Sequence, residues 1–327
     1  MNPRCLFLSA TLAAFASSAT FNVMAQGAAT FPTKPIKIVV PFAPGGPNDI
    51  LARIIGQKWN EAWGQAAIIE NRGGAGGTIG VDYGSKQPPD GYTAIMGGAS
   101  NLAVAVGMYA KLGYDPRELT PLVNVAFVPY VLTVNPHVPA KNVRELVAVA
   151  QSKKSLLSYG SSGTGAISHL AAELFKSMTG TDIVHVPYKG TAPAVTDVIA
   201  GQIDMMLADY AAVAPHAKAG KLRMLAVAGS KRSISAPELP TIAEAGVKGY
   251  AVDAWFGLVA PASVPKDIAA KINAATVNAL KSADVKQRFG ELGYEAIGDT
   301  PEQFGATIRS DIDKYVRVIK SAGIKAE

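Results

Sequence analysis

The residues best able to do chemistry gather around two glycine-rich loops. The first runs Pro41-Phe42-Ala43-Pro44-Gly45-Gly46-Pro47-Asn48-Asp49. Its glycines let backbone amides approach a ligand with no side chain in the way. Asn48 is placed to cap a helix that would open with unpaired N–H groups. A glycine turn leading into a helix start is a ready anion site. The second loop, Gly160-Ser161-Ser162-Gly163-Thr164-Gly165, is followed by Ser168 and His169 in the first turn of the next helix. Two such helix starts facing each other across a cleft would hold one small anion.

Templates for more elaborate chemistry fail. Gly73-Gly74-Ala75-Gly76-Gly77-Thr78-Ile79-Gly80 does not fit G-x-G-x-x-G, and no G-x-x-x-x-G-K-[ST] occurs. A nucleophile elbow, G-x-S-x-G, would need glycine where Thr164 stands. A serine hydrolase would use Ser162 or Ser168 with His169, against the plainer reading of both as helix-start serines. The four histidines, His137, His169, His185 and His216, show no metal-ligand spacing. His185 reads as a partly buried histidine of an apolar run, whereas His169 either faces the cleft or orients the loop from behind. Asp311 and Asp313 fit a solvated helix face. Donors are plentiful, but a nucleophile with its base is not, so the pattern implies binding without catalysis, metal or cofactor.

Strand-like and helix-like segments alternate throughout, the pattern of an α/β architecture. Strands are expected at 36–41, 67–71, 92–97, 130–134, 156–159, 183–187, 203–207, 223–228, 252–259 and 294–297. Helices are expected at 49–63, 142–153, 166–179, 191–200, 211–219, 265–283 and 301–321. Asn142 with Glu145 has capping-box spacing, and Phe304, Ile308, Ile312, Tyr315 and Ile319 form a core-facing stripe.

Residues 1–25 read as an export signal: Arg4, an apolar stretch from Leu6 to Ala16, and Val23-Met24-Ala25 as the cleavage site. Cleavage removes Cys5, the only cysteine, and with it any disulfide, thiolate metal site or cysteine nucleophile. Cys5 precedes the apolar stretch, whereas a lipid-anchored cysteine would follow it. The 31 Lys and Arg against 25 Asp and Glu are spread along the chain. Mild positive charge without basic–aromatic runs excludes nucleic acid as a partner and favours anionic solutes. No later segment reaches the roughly 18 apolar residues of a membrane span. The length suggests two lobes.

The chain resembles the Bug family of periplasmic solute receptors, the TctC-like receptors of tripartite tricarboxylate transporters. The resemblance is carried in order by Lys34-Pro35-Ile36 through Gly46, Glu70-Asn71-Arg72-Gly73-Gly74-Ala75-Gly76-Gly77, Asp90-Gly91-Tyr92-Thr93 and Tyr114-Asp115-Pro116. It continues through Ser162 to Leu170, Val186-Pro187-Tyr188-Lys189-Gly190, Leu239-Pro240-Thr241, Glu244-Ala245-Gly246, and Trp255 with Ala260-Pro261. It implies a two-lobed type II periplasmic binding protein fold, each lobe a mixed sheet flanked by helices, with the ligand cleft between them. The lobes would be 31–130 plus 250–327, and 131–249. It implies a monomeric periplasmic receptor that passes a small organic acid to integral-membrane permease subunits; a second reading couples it to a sensor protein. Phe42, Ala43, Pro44, Gly45, Gly46, Asn48 and Asp49 would meet the ligand from one lobe. Ser161, Ser162, Gly163, Thr164, Gly165, Ser168, His169, Lys189 and Gly190 would meet it from the other. Asn101 and Asp209 are further candidates, Asp209 either touching the ligand or capping the helix that follows. Arg72 is expected in an ion pair with Glu70 or Asp90.

Overall fold

The computed structural model describes residues 31–152 and 156–324. The expected export signal lies outside the described residues. The chain opens with β1 (Ile36–Val40), α1 (Pro47–Trp63), β2 (Ala67–Asn71), α2 (Thr78–Ser85) and β3 (Thr93–Gly98). A π turn (Ser100–Val104) runs into the short α3 (Ala105–Met108), and β4 (Thr120–Phe127) follows. Next come β5 (Tyr130–Val134), α4 (Val143–Gln151), β6 (Leu157–Ser161), α5 (Ile167–Thr179), β7 (Ile183–Pro187) and α6 (Thr191–Ala200). After β8 (Met205–Asp209), α7 (Tyr210–Lys218) and β9 (Arg223–Val227), the chain returns with β10 (Trp255–Ala260). It closes with α8 (Lys266–Lys281), α9 (Ala283–Leu292), β11 (Glu295–Ala296) and α10 (Pro301–Ser321).

Two mixed sheets result, ordered β11-β4-β10-β3-β1-β2 and β7-β6-β8-β5-β9. Each is flanked by helices, giving a two-lobed α/β fold. β1 lies parallel between β2 and β3, with Ile38 beside Ile69 and Ala94. Such a central parallel strand is covered on both faces, which accounts for its unbroken apolar run. Because β1 and β6 are parallel strands that each lead into a helix, the two glycine loops both emerge from carboxyl ends of strands, where open α/β sheets bind ligands.

Several elements depart from the sequence expectation. β4 is additional to the expected strands, and it carries Pro121, a residue unusual in a central strand. It is accommodated where the β4–β10 register shifts between Leu258 and Val259, with Pro121 opposite Val259. The helices at 78–85 and 283–292 and the turn at 100–108 are additional too. The backbone at Ser282 is extended (φ −67°, ψ 148°) and separates α8 from α9. Asn142 does cap α4 by accepting from the Glu145 amide at 3.0 Å, but the Glu145 carboxylate takes the Lys141 amide instead of completing the box.

A reciprocal capping box sits instead at Thr300 and Gln303, with bonds of 3.0 and 3.3 Å. It starts α10, whose buried Phe304, Ile308, Ile312, Tyr315 and Ile319 pack towards β4 and the 100–108 turn. Thr300→Ala is expected to cost about 1 kcal/mol. Thermal melts should then fall by about 2–4 °C, given the slope for a chain of this size.

Candidate functional site

The first loop is organised by its own side chains. Pro47 occupies the first helical position of α1, where its missing N–H costs nothing and its fixed φ suits the helix. Gly46 is therefore the N-cap, and the expected capping role of Asn48 is not what forms. Asn48 donates instead from Nδ2 to Met96 O at 2.7 Å and Gly97 O at 3.3 Å, tying the start of α1 to the end of β3. Asp49 Oδ2 accepts from Gly45 N at 3.0 Å and Arg53 Nε at 2.9 Å. Its Oδ1 accepts from Arg53 Nη2 at 2.9 Å and Asn71 Nδ2 at 3.1 Å. Burial pushes its pKa up, but the bonds from Arg53, Gly45 and Asn71 outweigh that and hold it below the ordinary value. The carboxylate is thus committed to shaping the loop.

The second loop rests on a layer of stacked rings. Ser162 N donates to Ser168 Oγ at 3.0 Å, and the two hydroxyls pair at the same distance. His169 Nδ1 accepts from Gly165 N at 3.2 Å. The ring lies 4.2 Å from that of His185, which in turn stacks 4.8 Å from Tyr159. Burial, and then the neighbouring His185, push the His169 pKa down to about 4. Its imidazole is neutral at pH 7 and can accept the Gly165 N–H, so the loop-orienting alternative is the one formed. Neither Ser162 nor Ser168 pairs with His169, which leaves the hydrolase geometry unformed. Ser161 Oγ does pair with His185 Nε2 at 2.7 Å, but it is fully buried and also accepts from Gly163 N.

The loops meet at the seam between the two sheets. Ala43 N donates to Lys189 O at 3.1 Å. Tyr109 Oη donates to Thr164 O at 2.6 Å, and Ile167 N donates to Ser100 Oγ at 2.9 Å. Gly45 and Gly46 face Ala192 and Thr191, so the N-termini of α1 and α6 converge. Between them is a cavity of about 10 Å³ lined by Phe42, Gly46, Pro47, Asn48, Ser100, Tyr130, Ser162, Thr191 and Phe256. That is room for about one water, so the lobes are closed on each other.

Of the expected site residues, Phe42, Gly46, Asn48 and Ser162 line this cavity, while Ala43 and Lys189 join the lobes through their backbones. Pro44 and Gly45 lie exposed at its edge, and Gly190 packs on Ala43. Gly163, Thr164 and Gly165 face the Gly76 turn and Tyr109. Asn101 is fully buried behind the loops, its Oδ1 accepting from Gly98 N at 3.1 Å. Asp209 caps α7, accepting from Ala212 N at 3.1 Å. Arg72 pairs with Glu70 at 2.5 Å and lies 3.6 Å over the Tyr83 ring, whereas Asp90 pairs with Lys34. Ser100, Tyr130, Thr191 and Phe256 went unnoticed in the sequence because strand register and lobe closure bring them in. Among the described residues no Lys or Arg lines the cavity, no acidic–histidine–cysteine cluster could hold a metal, and no helix is long and apolar enough to cross a membrane.

Two α/β lobes closed on a seam of glycine loops and helix starts define a solute-binding protein. The chain belongs to the tripartite tricarboxylate transporter family receptors, whose TctC family model matches residues 51–324. It is similar to Rpa4515 of R. palustris, solved with adipate: 38% identity, TM-score 0.86, covering 90% of this chain and 98% of that one. It is also similar to MatC of Rhodopseudomonas palustris, solved with bound malate: 33% identity, TM-score 0.85, covering 88% and 100%. A third structure, the periplasmic binding protein BugD, is 32% identical with a TM-score of 0.86, covering 90% and 100%.

Proposed function

We propose that the protein is an exported periplasmic receptor that closes on a small carboxylate and delivers it to the membrane permease of a tripartite tricarboxylate transporter. It acts as a monomer, with lobes 31–130 plus 250–327 and 131–249. The observation that carries this reading is the cavity built from both glycine loops and two converging helix starts. An anion placed there relieves two positive helix ends that otherwise face each other. Micromolar affinity requires about −8 kcal/mol net. One helix end supplies roughly 0.3–1 kcal/mol, and up to ~2 when partly buried. Several charge-assisted bonds at roughly 1.5–3 kcal/mol each, drawn from both lobes, make up the rest. Ser100, Ser162, Thr191 and the loop amides are the donors, and Phe42, Tyr130 and Phe256 the apolar walls. The adipate and malate of the two relatives make dicarboxylates the first class to test.

A cavity the size of one water admits no such acid, so the lobes part to load it and ligand then bridges them. Calorimetry of the mature chain, stripped of retained acids, against adipate, malate and citrate tests the proposal. One-to-one binding of at least one of them near the micromolar range is expected. No binding of any of the three at millimolar concentration would sink it.

A further inference from the structure

We propose that Ser100 and Tyr109 latch the two lobes together through bonds of their own, beyond any contact a ligand makes, and position the second loop from across the cleft. The observation behind this is an incomplete helix start. α5 opens after Ala166, a residue with no side-chain acceptor, and no side chain within its own lobe caps it. Alanine is among the poorest residues at this position. The first N–H of α5, that of Ile167, is met by Ser100 Oγ at 2.9 Å, in a buried bond that exists only while the lobes touch. Closure therefore supplies in trans the cap that the helix lacks in cis.

Tyr109 acts one step earlier in the same loop. Its hydroxyl donates to Thr164 O at 2.6 Å, and its ring fills the side of Gly165 where a Cβ would lie only 2.6 Å from the ring. Gly165 has φ +79°, so the loop's left-handed turn and the tyrosine ring fit each other. Both residues belong to one rigid stretch. Asn101 O accepts from the Tyr114 hydroxyl at 2.6 Å, and Gly107 packs against Val316 and Ile319 of α10. The latch is thus anchored in the first lobe and engages the N-terminal end of a helix in the second. Ser100 has a double position, since it also lines the cavity.

The latch consists of bonds between the lobes themselves, so its test does not depend on which acid is bound. Small-angle scattering would be recorded on the mature chain freed of retained ligand, as wild type, Tyr109→Phe and the Ser100→Ala/Tyr109→Phe double variant. A single hydrogen bond of this kind is expected to shift the closed-to-open ratio about fivefold. The double variant should shift it roughly 25-fold if the two bonds act independently. A compact wild type and a progressively larger radius of gyration across the series, with thermal melts showing all three folded, is the expected result. Tyr109→Phe alone removes one oxygen and keeps the ring, so it serves if the double variant fails to fold. A ligand-free wild type that is already open, or variants as compact as the wild type, would overturn the latch. If no carboxylate binds but the series opens, the latch stands and the ligand reading falls.

Discussion

Gly76→Ala is expected to shift the closed-to-open ratio about 100-fold towards open, and thereby to weaken ligand binding, while leaving both lobes folded. Gly76 lies in the turn before α2 with φ +62°. A Cβ built there would sit 2.5 Å from Thr164 O, 2.8 Å from Gly165 C and 2.9 Å from Ala166 N. All three are backbone atoms of the opposite lobe at the start of α5, where no rotamer change gives relief. In separated lobes the clash disappears, and only the left-handed backbone penalty of roughly 1–2 kcal/mol remains. Pushing the lobes apart breaks the seam bonds Ala43–Lys189, Tyr109–Thr164 and Ile167–Ser100. At roughly 0.5–1.5 kcal/mol each, their loss amounts to about 3 kcal/mol, or about 100-fold in the closed-to-open ratio. Gly64→Ala is the matched control, with φ +66° and nothing within 4 Å of its Cβ. It carries the same backbone strain and should bind as the wild type does. Calorimetry and melting of both variants decide the matter; wild-type affinity in Gly76→Ala would mean that the ligand-bound lobes never approach this closely.

That glycine shows where sequence reading stopped. The run Gly73 to Gly77 fails the nucleotide motifs and carries part of the family resemblance, but neither reading places Gly76 at the seam, since local spacing carries no trace of a backbone arriving from more than 80 residues away. The first loop was legible because strand, turn and helix start are contiguous, and their chemistry is local. Even there Asn48 was misplaced by two positions, because Pro47 claims the first helical position and moves the cap to Gly46. β4 escaped because Pro121 breaks the usual strand pattern, and its place depends on a register shift against β10. The turn at 100–108 escaped because Leu102 to Met108 are apolar or glycine on every side, which hides helical periodicity. Yet it supplies Ser100 to the cavity and leads into Tyr109. Thr191, Tyr130 and Phe256 reach the seam only through pairings such as Tyr130 with Asp209 and Phe256 with Gly98, which no short window records.

Asp209→Asn should stabilise the protein by roughly 2 kcal/mol at pH 7.5 and by nothing at pH 4. Asp209 ends β8 and is almost wholly buried. Its Oδ1 caps α7 by accepting from the Ala212 amide, while Oδ2 is buried beside the equally buried Tyr294 hydroxyl, too far off for a well-formed bond but near enough to favour the charged carboxylate weakly. Burial pushes its pKa up to about 6, against the smaller downward pulls of the Ala212 amide, its own backbone amide and the Tyr294 hydroxyl. In the unfolded chain the same group titrates near 3.9. Between these values the folded state holds the proton that the unfolded state has lost, so stability declines as pH rises from about 4 to about 6. Above pH 6 the full penalty persists, about two units or ~3 kcal/mol. Asparagine keeps a capping oxygen, carries no charge, and turns an amide towards the Tyr294 hydroxyl. At about 2–4 °C per kcal/mol, the variant should melt roughly 4–8 °C above the wild type at pH 7.5 and level with it at pH 4. An equal difference at both pH values would remove the buried charge as the cause. The same variant separates the two roles that Asp209 could play: as a helix cap its loss of charge leaves ligand affinity intact, whereas a contact to a ligand amino group would make affinity fall as stability rises.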